Sequence, residues 1–260
     1  MMRILLSNDD GILAPGLAAL YAAVADLGQV SVIAPHSPQS ATGHSITLKA
    51  PLTVQPVHVK AGGTTFSGLS VDGRPADCVR LAVRSLLGSP VELVLSGINA
   101  GANVGINVFY SGTVAAAAEA AMLGLPAVAF SVEMTNGQAD FARAARLCRW
   151  VLDRLLHRGL TPGQVVNVNI PALGPNLPRG VKVVHQSTAG LEDFYHRTDG
   201  DDGTTSYRLG ENYSFIAIDE QSDAVCLAEG YITITPLKVD MTDRAGLAAL
   251  AQETWPPLPR

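Results

Sequence analysis

Charge is scarce in this chain and neither sign dominates. Asp, Glu, Lys and Arg make up 16% of its 260 residues, and the formal net charge is −5. With 18 basic against 23 acidic side chains, a nucleic-acid groove or an anionic membrane surface is not expected as a main partner. That balance does not exclude a nucleotide held through a cation. Cysteine is scarce too. Cys78, Cys148 and Cys226 are odd in number, far apart and without a Cys-x-x-Cys pair, which excludes a disulfide framework or a structural zinc site and suits a reducing cytoplasm. No basic segment followed by an apolar stretch opens the chain, so no signal peptide is expected. No apolar run reaches the roughly 18 residues of a membrane span. Internal repeats are missing, as is any linker long enough to separate two independent domains.

What is present is apolar and periodic. Hydrophobic residues make up 47% of the chain and mean hydropathy is +0.22, enough for one large, well-packed domain with an appendage. Strand-like runs at Ile4 to Ser7, Val30 to Ala34, Leu93 to Ser96, Ala127 to Ser131, Val165 to Ile170 and Val181 to Val184 alternate with helical patterns. The helical stretches lie near Leu17 to Leu27, Ala76 to Leu87, Thr113 to Leu123 and Phe141 to His157. Cys78 and Cys148 fall inside them as small buried apolar groups. The alternation predicts an α/β fold, a three-layer α/β/α Rossmann-like arrangement around a mostly parallel sheet. An insertion after the second strand, with Ile46 to Leu48, Leu52 to Val59 and Thr64 to Phe66, reads as short antiparallel strands.

Residues 1–187 are thus expected to form the catalytic domain. Residues 188–260 read as a hairpin arm, a closing strand and a C-terminal helix, not an independent domain. The arm, Thr188 to Asp223, holds the acidic run Asp199-Gly200-Asp201-Asp202-Gly203. That run lacks the later Glu of an EF-hand and reads as an exposed tip. Along its length the arm carries Phe194, Tyr195, Tyr207, Tyr213 and Phe215, a large share of the six Phe and six Tyr in the chain. Aromatics on such an element commonly anchor subunit contacts. Tyr231 to Thr235 reads as a strand closed by Pro236, and Asp243 to Thr254 as a short helix before a Pro-rich tail.

Four clusters fall at the carboxyl ends of strands, where ligands bind in open α/β sheets. The first strand stops at Asn8-Asp9-Asp10-Gly11. Two adjacent carboxylates repel each other and would repel a phosphate. A hard divalent cation removes both problems, because Mg²⁺ and its relatives prefer carboxylate and neutral oxygens. The same residues would also serve as a helix cap and turn. The second cluster is the hydroxyl-rich loop Ser37 to Ser45, in which His36 and His44 read as solvated. The third, Ser96 to Gly105, brings glycines for close backbone approach and Asn99 and Asn103 as neutral oxygen and amide groups. The fourth, Tyr110-Ser111-Gly112-Thr113, opens an Ala-rich helix whose free N–H groups and dipole suit a phosphate, or are capped by Ser111 or Thr113 alone.

Competing motifs fail on their details. Gly11 and Gly16 have the glycine spacing of a P-loop, but Leu17 and Ala18 stand where Lys and Ser or Thr are required. No Gly-x-Gly-x-x-Gly follows the first strand, which disfavours a nicotinamide cofactor, and no Gly-x-Ser-x-Gly elbow occurs. The adjacent pair Asp9-Asp10 also differs from the two-residue spacing of haloacid-dehalogenase-type phosphatases.

The segments Asn8-Asp9-Asp10-Gly11, Ser40 to Thr47, Pro75 to Val79, Ser96-Gly97-Ile98-Asn99, Ser111-Gly112-Thr113-Val114 and Gly230 to Leu237 together resemble the SurE survival-protein nucleotidases, in that family's order and over most of the chain. The resemblance implies a phosphatase acting on nucleoside 5′- and 3′-monophosphates, and on short polyphosphate. It implies one divalent ion, Mg²⁺ or Mn²⁺, held by Asp9, Asp10, Ser40 and Asn99. It also implies a homodimer or homotetramer in which a C-terminal arm exchanges between subunits. With it, Asp9, Asp10 and Asn8 are expected at the reacting centre, and Asn99, Asn103, Ser111, Gly112 and Thr113 around the phosphate. Gln39 stands where many members carry Arg, and Arg74 where Thr is common; both departures bear on substrate preference. The alternative from another class is a non-catalytic nucleotide-binding regulatory protein on the same fold.

Overall fold

The computed structural model describes residues 1–174, 178–188, 194–210, 219–256 and 258. A nine-stranded sheet runs through the middle. In chain order its strands are β1 (Met2–Ser7), β2 (Gly28–Pro35), β3 (Val54–Ala61), β4 (Thr64–Val71), β5 (Leu93–Ala100), β6 (Ala127–Val132), β7 (Val165–Ile170), β8 (Val181–Val183) and, after a hairpin, β11 (Ile232–Leu237). Their order across the sheet is β3-β4-β2-β1-β5-β6-β7-β11-β8. Only the β3–β4 and β7–β11 pairs are antiparallel, and the rest are parallel. The sheet is thus mostly parallel, as the sequence predicts. β1 has β2 on one side and β5 on the other, so the strand order reverses beside β1. In open α/β sheets ligands bind outside the carboxyl ends of the strands at such a reversal.

Both sheet faces are covered, which is why β1 reads as a continuous apolar run instead of an alternating one. Ile4 and Leu6 join Leu95, Phe130 and Val168 beneath α1 (Pro15–Val24) and α5 (Phe141–Arg158). Leu5 joins Ile33, Val94, Ala129 and Val165 beneath α2 (Pro75–Leu81) and α4 (Gly112–Met122). α2 continues into a wider π turn, Ala82–Leu86. α5 starts where the Asp140 side chain accepts from the Arg143 N–H, and ends at Gly159, whose φ of 87° a residue with a side chain rarely adopts. Cys78, Cys148 and Cys226 are buried free thiols, and burial pushes Cys78 and Cys148 above the usual thiol range. Among the described residues no helix is long and apolar enough to cross a membrane.

The insertion differs from expectation in one element. Residues 46–48 form no strand; β3 and β4 alone make the antiparallel pair, and β4 then lies parallel to β2 as part of the main sheet. Thr47 is instead tied to a helix: its N–H and hydroxyl both donate to the Asp77 carboxylate, at 2.9 and 2.7 Å.

The arm contains β9 (Tyr195–Asp199) and β10 (Thr205–Leu209), an antiparallel hairpin with the acidic run at its tip. Phe194, Tyr195 and Tyr207 are exposed, while Tyr213 and Phe215 lie outside the described residues. α6 (Asp223–Ala228) follows. Pro236 lies within β11, opposite Val166, and does not end the strand. β8 pairs with β11 only as far as Ile234, so beyond it one side of β11 is an edge where proline is tolerated. α7 (Arg244–Leu250) is capped by the Asp243 side chain and is shorter than the sequence pattern suggests; it buries no residue. α3 (Asn107–Tyr110) is a single turn leading into α4.

Candidate active site at the carboxyl edge of the sheet

The four clusters meet at the strand-order reversal. α1 is not capped by either acid: its N-cap is Ala14, with no side-chain bond, and Pro15 stands at the first helical position. The capping alternative for Asp9 and Asp10 therefore falls. Asp9 is 5% exposed. Its Oδ1 accepts from the Thr113 hydroxyl in the first turn of α4. Asp10 Oδ2 accepts from the Ala100 N–H at 3.3 Å, at the end of β5. The two acids thus reach in opposite directions, one to α4 and one to β5.

Burial is the main cause that pushes the Asp9 carboxyl up to about 6, the Asp10 charge adds to it, and the Thr113 hydrogen bond opposes both. Burial likewise raises Asp10, against the bond from Ala100. Among the described residues no cationic group partners these two adjacent, desolvated acids.

Gly112 shows how tightly α4 is set over this pair. A Cβ there would lie 2.6 Å from Asp9 Cβ and 2.9 Å from its Oδ2. Only glycine lets the helix start approach the carboxylate. Ser111 caps α4 by accepting from the Val114 N–H at 3.0 Å, and Thr113 is committed to Asp9. The Val114 N–H is taken by Ser111 and the Thr113 N–H by Asp9, so the Gly112 N–H and the helix dipole are what this helix start offers an anion.

Asn99 reaches the same edge through an irregularity in β5. Ser96 pairs with Ala129, but Asn99 pairs with Ser131, so one extra residue bulges out between them. Gly97 makes the bulge possible, since a Cβ there would meet the Phe130 carbonyl oxygen at 2.2 Å. The Asn99 amide nitrogen donates to the Gly101 carbonyl at 2.7 Å, which turns its Oδ1 the other way. Asn8 Nδ2 donates to Gly11 O at 2.9 Å, while its buried Oδ1 has no hydrogen-bond partner. Ser40 is exposed on the loop after β2, whose neighbouring Gln39 N–H donates to the Asp9 carbonyl at 2.7 Å.

Asn103 is placed differently from the rest. Its amide nitrogen donates to Ser131 Oγ at 2.8 Å, and its backbone is held by Asn167 and Asn169 of β7. The structure makes it the buried pin of the loop that carries Asn99. The two departures from the family pattern touch each other: Arg74 Nη1 donates to Gln39 Oε1 at 2.6 Å.

Three acids in this region had no role assigned from the sequence, although Asp77 lies in the Pro75 to Val79 segment of the family pattern. Asp77 holds Thr47. Glu119 contacts His44. Asp223 accepts from Gly105. An acid inside an otherwise Val/Ala helix was the available signal for Glu119; Asp223, over a hundred residues from its partner, gave none.

Among the described residues no three His, Cys, Asp or Glu cluster to hold a metal. The donors at this edge are two carboxylates with neutral oxygens from Asn and Ser. That set, with the unpartnered Asn8 Oδ1 close by, fits a hard oxygen-seeking cation and not zinc.

The family profile described as Survival protein SurE matches residues 4–193. The chain is 42% identical over 241 residues to 5′-nucleotidase SurE of Syntrophobacter fumaroxidans, covering 93% of this chain and 95% of that protein. It is 42% identical over 257 residues to 5′-nucleotidase SurE 1 of Thermus thermophilus, covering 96% and 97%. The crystal structure of SurE protein from Aquifex aeolicus superimposes with a TM-score of 0.81 at 34% identity, covering 95% of this chain and 98% of that one.

Proposed function

The chain belongs to the SurE family and is a 5′-nucleotidase; we propose that it hydrolyses nucleoside 5′-monophosphates with one divalent cation, Mg²⁺ or Mn²⁺, at the Asp9–Asp10 edge. The observation that carries this reading is the pair of adjacent acids, Asp9 buried and Asp10 partly so, with no cationic partner among the described residues and packed against a helix start through Gly112. A non-catalytic nucleotide-binding protein would need that helix start but not the two acids.

Asp9, Asp10, Ser40 and Asn99 would hold the cation, which when bound supplies Lewis-acid polarisation of a phosphoryl oxygen. Gly112 presents its N–H and α4 its dipole to the phosphate, with Asn8 alongside. Thr113 orients the Asp9 carboxylate and opposes the burial that favours its protonated form. Ser111 and Asn103 act through structure, one capping α4 and the other pinning the Asn99 loop. A water attacking in line with the leaving oxygen completes the hydrolysis.

The same phosphate site would accept nucleoside 3′-monophosphates and short polyphosphate, since it grips the phosphoryl group and not the ribose. The free, buried thiols are compatible with a cytoplasmic location. Self-association through residues 188–260 is the remaining part of the proposal. α7 exposes Leu247 and Leu250, and a largely apolar cavity of about 1110 Å³ runs along α4 and β11. Phosphate release from 5′- and 3′-nucleotides and polyphosphate, with and without Mg²⁺ or Mn²⁺, tests the function. Full activity in excess EDTA would overturn the metal reading.

A further inference from the structure

Glu119 is 1% exposed on α4, in a run otherwise of Val and Ala, and the hydrolysis described above makes no use of it. Its Oε2 lies 2.9 Å from Nε2 of His44, and its Oε1 lies 2.8 Å from Nη2 of Arg80 on α2. The Arg80 contact is an ion pair without hydrogen-bond alignment. A buried carboxylate held this way is a poor stabiliser compared with an apolar residue of the same volume. Its presence calls for a task that an apolar residue cannot do.

The task is visible in the loop that His44 comes from. Ser40 precedes His44 by four residues. Between them Ala41 has φ 54° and Gly43 φ 56°, a left-handed conformation unfavourable for alanine, which persists only where its surroundings impose it. The loop ends are fixed elsewhere, Gln39 on Asp9 and Thr47 on Asp77. Within it, the Gly43 N–H donates to the Tyr110 carbonyl at 2.9 Å, and the His44 ring reaches Glu119. Glu119 lies on α4 and Tyr110 is the last residue of the short α3 that runs into it, so both anchors hold the loop beside the helix whose first turn faces Asp9.

We propose that Arg80, Glu119 and His44 form a positioning relay that fixes the Ser40 loop onto the phosphate-facing helix, and so sets Ser40 against Asp9 and Asp10. This rests on the cation reading above. His44 and Glu119 touch neither the cation nor the phosphate in it. They act through Ser40, as partners behind a metal ligand do elsewhere, where their loss costs about tenfold or more in metal affinity.

The test is Mn²⁺ titration by calorimetry on wild type, Asp9→Asn, His44→Ala, His44→Gln and Glu119→Gln, with circular dichroism to confirm folding. Wild type should bind and Asp9→Asn should not; absence of binding to wild type overturns the cation reading itself, before His44 enters. With wild type binding, His44→Ala should weaken Mn²⁺ about tenfold, and His44→Gln, whose amide nitrogen stands near the place of the His44 Nε2 that meets Glu119, should recover part of that. Raising Mn²⁺ to saturation should restore turnover of His44→Ala. Folded His44→Ala with unchanged Mn²⁺ affinity would overturn the relay. So would a loss of kcat that persists at saturating Mn²⁺, because that would make His44 a group touching substrate. Should Glu119→Gln fail to fold, His44→Ala, in a loop with its side chain 28% exposed, still decides the matter.

Discussion

The Asp223 carboxylate accepts a hydrogen bond from the Gly105 N–H at 3.0 Å, across 118 residues of sequence. Asp223 opens α6, fully buried, and accepts from Ser187 and Ala224 as well. Gly105 also takes a bond at its carbonyl, from Gln186 Nε2 at 2.8 Å. The described chain on either side of the arm thus grips the end of the loop that carries Asn99 and Asn103.

Asp223→Ala should therefore be costly. It leaves three N–H groups without their acceptor, and each buried unsatisfied donor costs about 1–3 kcal/mol, so a loss of about 3 kcal/mol or more is expected in urea unfolding. Turnover should fall in the variant at temperatures where it is still folded. A loss within experimental error of zero would show that water replaces the carboxylate freely.

The acids at the site make the next test. Asp9→Asn or Asp10→Asn should lower phosphatase activity by about a hundredfold or more, with the fold intact, since removing one of two like charges relieves repulsion. Near-normal turnover of both variants would sink the assignment.

A pH dependence follows from the same pair. In the metal-free protein the folded state holds the Asp9 proton up to about pH 6, while an unfolded chain releases it near about 3.9. The Asp9 contribution to stability is then full below about pH 4 and is lost as pH rises through about 6. A cation competes with that proton. Stabilisation by Mn²⁺, read as a rise in Tm by scanning calorimetry, should grow from about pH 5 to about pH 7. An equal rise at both values would contradict a metal on Asp9.

Thr113 separates a phosphate cradle from a carboxylate orienter. Its hydroxyl is bonded to Asp9, so Thr113→Ala should weaken Mn²⁺ binding and phosphate binding together. Thr113→Ser should preserve both. Weakened vanadate binding with unchanged Mn²⁺ affinity would return Thr113 to the phosphate.

Much of this was legible in the sequence, for a physical reason. Strands buried on both faces read as apolar runs, and the polar residues that break them, Asn8 after β1 and Asn99 near the end of β5, mark the ligand edge of the sheet. The sequence does not show which polar atoms are already engaged. Ser111, Thr113 and Asn103 read as donors to a phosphate, yet their side chains are bonded to Val114, Asp9 and Ser131. Residues 46–48 read as a strand from composition, but bonds from Thr47 to Asp77 hold them as a loop. His44 read as solvated because its partner, Glu119, lies 75 residues away in a helix.

Assembly is the remaining expectation, and it turns on α7. The helix follows β11 closely, is capped by Asp243, and places Leu247 and Leu250 in solvent at 53% and 59% exposure. A seven-residue helix that buries no residue has little tertiary packing to hold it, and short isolated helices are marginal in water. Nearby, Val114, Ala115, Ala118 and Met122 of α4 line one wall of the large cavity, and Leu237, Val239 and Met241 line another. One chain thus exposes both an apolar helix and an apolar groove, the pairing that exchange of an identical element satisfies. Truncation after Thr242 should shift the mass measured by light scattering to a smaller species and leave a groove that binds a hydrophobic dye. Leu247→Asp combined with Leu250→Asp should do the same without shortening the chain. Unchanged mass in both variants would mean that α7 is no subunit contact and that any assembly runs through the β9–β10 hairpin.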